Sequence, residues 1–126
     1  MAANFQDVAN QFVPYYYNTF DTNRAGLAQL YRDGSMLTYE STSVIGVAAI
    51  VEKLNSLPFQ SVKHETSTID PMPGVDNSGV LIQVTGAIIV DGDAEKPFKF
   101  AQTFHLVQEP GTGSFYVSHD IFKLIF

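Results

Sequence analysis

Three carboxylates stand where apolar segments end. Val80-Leu81-Ile82-Gln83-Val84-Thr85-Gly86-Ala87-Ile88-Ile89-Val90 runs into Asp91 and Asp93, and Met36-Leu37-Thr38-Tyr39 runs into Glu40. Acids where apolar strands reach solvent can form the charged rim of an apolar pocket. They can equally be turn residues, since Asp91-Gly92-Asp93 is hairpin chemistry and Ser41-Thr42-Ser43 after Glu40 reads as another turn. Asp91 and Asp93, two residues apart, project to one side of the strand end unless a bulge intervenes. Tyr39 is a ring that can line a hollow whose edge Glu40 marks.

The histidines offer the alternative of acid–base chemistry. His119 and Asp120 are adjacent, and neighbours on a strand face opposite ways, so they form no dyad with each other. His64 shares a side with Val62, Thr66 and Thr68 and could meet Asp120 across a sheet, which makes it the seed of any enzyme reading. His64, His105 and His119 are 41 and 14 residues apart, with no helical pair at four-residue spacing, so no zinc motif is legible. No nucleophile motif or phosphate loop is legible either. The expected job is recognition, with no cofactor.

Composition narrows the partner. The 126 residues fit one domain, residues 1–126, large enough to bury roughly two-thirds of the surface that the unfolded chain exposes. Ten Phe and six Tyr with no Trp imply an interior filled by rings. A formal charge of -6 and the lack of any basic run argue against nucleic acid and favour a basic protein surface. The absence of Cys excludes disulfides and thiolate metal sites. The N-terminus has no signal-peptide pattern and no apolar run approaches the roughly 18 residues that span a bilayer, so the expectation is an intracellular chain without membrane insertion.

Periodicity supplies the elements that position these residues. Phe5, Val8, Ala9, Phe12, Tyr16 and Phe20 recur at helical steps, with a kink or break expected near 10–13 because of Pro14. Asp21-Thr22-Asn23 offers N-cap chemistry for a short helix, Arg24 to Tyr31, ended by Asp33-Gly34-Ser35. A third helix spans Val47 to Leu57, stopped by Pro58. The period then becomes two, predicting strands near Ser61 to Asp70, Gly79 to Asp91, Pro97 to Gln108 and Ser114 to Leu124. Helices first and a meander second make an α+β fold with helices on one face of an antiparallel sheet.

Alternation separates the faces. Val80, Ile82, Val84, Ile88 and Val90 share one side, as do Phe98, Phe100, Phe104 and Leu106, and these need the helices to cover them. The other side carries Leu81, Gln83, Thr85, Ala87 and Ile89, then Ala101, Thr103, His105 and Val107. Too apolar for a solvated face, it predicts a homodimer joined sheet to sheet. Phe5, on the first helical turn, suits either core packing or a docking surface for short aromatic motifs.

Several stretches together resemble the nuclear transport factor 2 family. They are Phe5 to Tyr17, Phe20-Asp21-Thr22-Asn23-Arg24, Leu30-Tyr31-Arg32, Ser35 to Glu40, Ile50-Val51-Glu52-Lys53-Leu54-Asn55-Ser56-Leu57-Pro58-Phe59-Gln60 and Asp120-Ile121-Phe122-Lys123-Leu124. The resemblance covers nearly the whole chain. It implies three helices closing over a strongly bent antiparallel sheet to form a cone with an apolar cavity, in a homodimer. It implies carriage of the GTPase Ran, in its GDP form, into the nucleus by binding Phe-x-Phe-Gly repeats of nucleoporins, with residence in cytoplasm and nucleus and enrichment at nuclear pores. Carried over, Glu40, Asp91 and Asp93 match the Ran-binding rim. Tyr39, Leu57, Val62, His64 and Phe122 match the cavity lining that receives a Ran phenylalanine, and Phe5 matches an aromatic at the repeat site. Tyr39 stands where some members have Trp, which makes the pocket wall smaller and more polar. The same cone also hosts isomerases and dehydratases, for which His64, Asp120 and Tyr39 would be the acid–base set.

Overall fold

The computed structural model describes residues 4–57, 61–74 and 79–125. Helix α1 (Phe5–Thr22) opens on Asn4, whose Oδ1 accepts from the Gln6 amide at 2.9 Å. Pro14 does not break it. Asn10 and Pro14 both lie on the exposed side, so the carbonyl that loses its partner faces water, and the helix runs on through the proline. Ala9, Val13, Tyr16, Tyr17 and Phe20 form the buried stripe.

A 3-10 helix follows at Arg24–Leu30. The expected side-chain cap is not made by Asn23. Its backbone serves instead, donating to Thr19 O at 2.7 Å and accepting from the Gly26 amide at 2.9 Å. Tyr31 then begins strand β1 (Tyr31–Tyr39) rather than ending the helix, and Asp33-Gly34-Ser35 lies within that strand. There Ser35 Oγ accepts from the Arg32 amide and donates to Val117 O, which holds the irregular stretch between Tyr31 and Met36 onto the sheet. Strand β2 (Thr42–Ile45) and helix α2 (Val47–Asn55) come next. The meander is β3 (Val62–Pro73), β4 (Val80–Val90), β5 (Phe98–Gln108) and β6 (Phe115–Ile125). Pro58, the expected stop of α2, and the turn residues Asp76-Asn77-Ser78 lie outside the described residues.

The six strands are ordered β2-β1-β6-β5-β4-β3. All pairings are antiparallel except β1 with β6, a departure from the all-antiparallel expectation. Register shifts at Thr66/Thr68 and His105/Leu106 mark bulges, which add twist and bend a sheet. Opposite the first, Gly86 comes so close to β3 that a Cβ there would lie 2.2 Å from Glu65 O. Only glycine permits that approach.

Helix α1 packs on β3 and β4, while α2 packs on the 3-10 helix, β1 and β2. The inward residues Val80, Ile82, Val84, Ile88, Phe100, Phe104 and Leu106 are all at most 3% exposed. On the outward side Met72, Ile121, Ile125 and Leu81 remain 62%, 53%, 51% and 40% exposed. Register carries Ile45 to the same outward side through Met36. Among the described residues no helix is long and apolar enough to cross a membrane.

Candidate functional site

Beneath the helices lies a cavity lined by Tyr16, Phe20, Leu37, Tyr39, Leu54, Val62, His64, Ile88, Gln102 and Phe122. Four of the five residues expected in the lining are there; Leu57 is not among them, and packs against the neighbouring core cluster. One wall is a ring stack, with Tyr39 on Phe122 at 4.7 Å and 5°, and Phe122 on Phe100 at 5.5 Å. Burial, and then the adjacent Glu40 charge, push the Tyr39 phenol up to about 12. His64 also lines the cavity, stacked on Tyr17 at 4.4 Å. The free space is about 10 Å³, roughly room for one water molecule and far below a small-molecule pocket.

The acid–base set expected of an enzyme is not assembled. β3 and β6 are separated by β4 and β5, so His64 never meets Asp120. His64 pairs instead with Asp21 at the end of α1, through Nδ1 to Oδ1 at 2.7 Å and its amide to Oδ2 at 2.9 Å. One carboxylate thereby ties the edge strand to the helix. Asp120 is 1% exposed, with Oδ2 accepting from Tyr31 at 2.8 Å and Tyr16 at 3.2 Å, and Oδ1 from Gln102 Nε2 at 2.7 Å. Gln102 Oε1 in turn accepts from Tyr17 at 2.8 Å. Burial pushes the Asp120 carboxyl up to about 6 against the three hydrogen bonds that favour its charged form. Such a value suits proton transfer, but Asp120 is not among the cavity's lining residues and both its oxygens are engaged. The network is a structural clasp between α1, β1, β5 and β6. Gln102 is its legible sign, a polar residue on the strand face otherwise formed by Phe100, Phe104 and Leu106.

The three carboxylates sit on turns. Glu40 and Ser41 have φ of 49° and 72°, the left-handed pair that closes a tight hairpin, so β2 begins where a longer turn was expected. Glu40 also accepts a hydrogen bond from the Leu124 amide. Beyond β4, Asp91 has φ of 51° and is clamped to Ser61, with its amide on Ser61 O at 2.8 Å and Oδ1 accepting from the Ser61 amide at 2.9 Å. The chain leaves extended geometry there, so alternation no longer fixes where Asp91 and Asp93 point. Glu40 directly follows the lining residue Tyr39, while Asp91 lies three residues beyond the lining residue Ile88 and follows Val90, the strand partner of the lining residue Val62. Phe5 is 36% exposed. On the same helix Val8, Gln11, Phe12 and Tyr15, with Leu106 and Phe115, line an open groove of about 400 Å³ that the sequence reading missed.

The sequence profile of the Nuclear transport factor 2 (NTF2) domain matches residues 8–124. The chain belongs to the nuclear transport factor 2 family. It is 53% identical to Nuclear transport factor 2 of Emericella nidulans over 124 residues, 98% of each chain. It is 52% identical to Nuclear transport factor 2B of Arabidopsis thaliana, covering 93% of this chain and 91% of that one. The solved structure of nuclear transport factor 2 from Cryptosporidium parvum superposes with a TM-score of 0.88 at 44% identity, covering 96% and 94% of the two chains. The cone fold of the nuclear transport factor 2 family is therefore the fold of this chain, and its role is nuclear transport rather than catalysis. That agrees with a cavity whose nearest buried acid is sealed behind phenols.

Proposed function

We propose that this chain carries Ran in its GDP form into the nucleus, crossing the pore by binding Phe-x-Phe-Gly repeats of nucleoporins. What supports the reading is the arrangement of an aromatic-walled cavity bounded by strands that end in acidic turns, on a chain of net charge -6. Glu40, Asp91 and Asp93 engage basic Ran residues, while a Ran phenylalanine enters between Tyr39, Val62, His64 and Phe122, with Leu57 beside them. A buried aromatic anchor of this kind contributes on the order of 2 to 4 kcal/mol, and the rim pairs chiefly orient it. The cavity is too small for a benzyl group as it stands, so entry requires its lining to shift. Repeats dock at Phe5 and the α1 groove, each weakly, with avidity from repetition. The outward sheet face joins two copies into a homodimer. The protein distributes between cytoplasm and nucleus and concentrates at pores.

Two variants of one residue test the rim. Glu40→Gln keeps the acceptor for the Leu124 amide and removes the charge, whereas Glu40→Lys reverses it. Ran·GDP binding should weaken in the first and vanish in the second, with repeat binding and the dimer intact. Unchanged Ran affinity in a folded Glu40→Lys protein, or loss of folding in both variants, would remove Glu40 from the rim.

A further inference from the structure

On the outward sheet face, away from the cavity, two histidines face each other across neighbouring strands. His105 of β5 is registered directly opposite His119 of β6. Their Nδ1 atoms are 3.4 Å apart and the rings lie at 23°. We propose that His105 and His119 form a two-imidazole site for a borderline divalent transition-metal ion, with Zn2+ as the representative. Two imidazole nitrogens bound to one tetrahedral ion at roughly 2.0–2.1 Å stand about 3.4 Å apart. The observed separation is that tetrahedral edge.

The surroundings suit an ion. Without one, two facing Nδ1 atoms avoid repulsion only if one ring donates to the other; an ion between them replaces that proton, and each ring then carries its hydrogen on Nε2. Nε2 of His105 sits over Gly79, where an added Cβ would approach it to 3.2 Å, so the glycine keeps this ring's seat open. Burial first, and His119 second, hold the His105 imidazole below its ordinary pKa, in the neutral form that binds metal. An open volume of about 370 Å³ adjoins the pair, lined also by Gly74, Leu81, Thr103 and Ile121, and accommodates the ion's other ligands. Among the described residues no third protein ligand joins the pair. The remaining positions belong to water, or to the same pair of a second copy where two such faces meet.

The third histidine is not a competitor, because His64 is 3% exposed and its Nδ1 is taken by Asp21. The test is calorimetric titration of the full chain with Zn2+ alone in a non-chelating buffer, for the wild type, His105→Ala, His119→Ala and the double variant. Each single loss should weaken binding about a hundredfold, because the second ligand of a chelating pair acts at high effective concentration. Both residues lie on the sheet surface, and thermal melts without metal check that the variants fold. Saturating Zn2+ should also raise the melting temperature of the wild type and leave that of the double variant unmoved. Equal affinity in all four proteins, or wild-type binding only at millimolar Zn2+, would overturn the proposal.

Discussion

The two faces of the sheet are built from the same strands and end in opposite conditions. On the inward face of β4 and β5, Val80, Ile82, Val84, Phe100, Phe104 and Leu106 are buried, and the polar atoms of Gln102 and Asp120 are bonded within the chain. One residue along, Leu81 is 40% exposed, and on β6 Ile121 is 53% exposed on the same face as the half-buried His105 and the exposed His119. Helices satisfy the first face; among the described residues nothing in one chain covers the second. A soluble surface rarely leaves so much contiguous apolar area open unless a partner buries it. On this account the inner face governs whether the chain folds, and the outer face is the one proposed to join a second copy.

Breaking the inner face should have the largest effect. Asp120→Ala removes the acceptor of Tyr16, Tyr31 and Gln102, leaves Gln102 and one of the two phenols unpaired while the other phenol donates across the 2.7 Å Tyr16–Tyr31 contact, and should lower folding stability by about 3 kcal/mol in urea denaturation. A change near zero would mean that the clasp contributes nothing. Leu81→Glu attacks the outer face alone. A charge placed in an apolar interface should weaken the dimer by about 3 kcal/mol, over a hundredfold, in sedimentation equilibrium while the monomer's melt is nearly unchanged. If the melt collapses with the dimer, the two faces are not separable.

A smaller effect sharpens the inner face. With its carboxyl at about 6 in the fold and about 4 unfolded, Asp120 is protonated more readily in the native state. Its contribution to stability is therefore greatest at low pH and is lost as pH rises from about 4 to 6. Relative to Asp120→Asn, the wild type should lose about 2 kcal/mol between pH 4.5 and 7.5. Parallel pH profiles for the two proteins would contradict the raised carboxyl. The smallest effect falls on neither face: Phe5→Ala should change stability by less than about 0.5 kcal/mol and weaken repeat binding by about 1 kcal/mol, roughly fivefold, in a peptide titration.

How much of this is legible in the sequence depends on whether the signal is local. The alternation of β4 and β5 separates the two faces because burial on one side imposes a period of two on neighbouring residues, except at Phe98, which opens β5 and is 43% exposed instead of covered by the helices. β2 is not legible: Thr42 and Ser43 are turn-forming residues, and only the left-handed backbone at Glu40 and Ser41 turns the chain soon enough to pair them with Tyr39 and Thr38. Pro14 is a true helix breaker by local rules, overridden here because the Asn10 carbonyl it orphans lies on the exposed side of the helix. Tyr16, Tyr31 and Asp120 converge from positions 15 and 89 residues apart, a distance no periodicity spans. The histidine pair lies between these cases. A spacing of 14 means nothing on a helix, yet places the rings face to face once 105 and 119 flank a hairpin.

The carrier reading meets its most direct test in a calorimetric titration of the wild-type chain with Ran loaded separately with GDP and with GTP, at low and moderate salt. The proposed carrier role predicts binding to the GDP form alone, and the acidic turns predict that this binding weakens as salt screens the rim. Equal binding to both forms, or to neither, would contradict the account and leave the cavity without its proposed occupant.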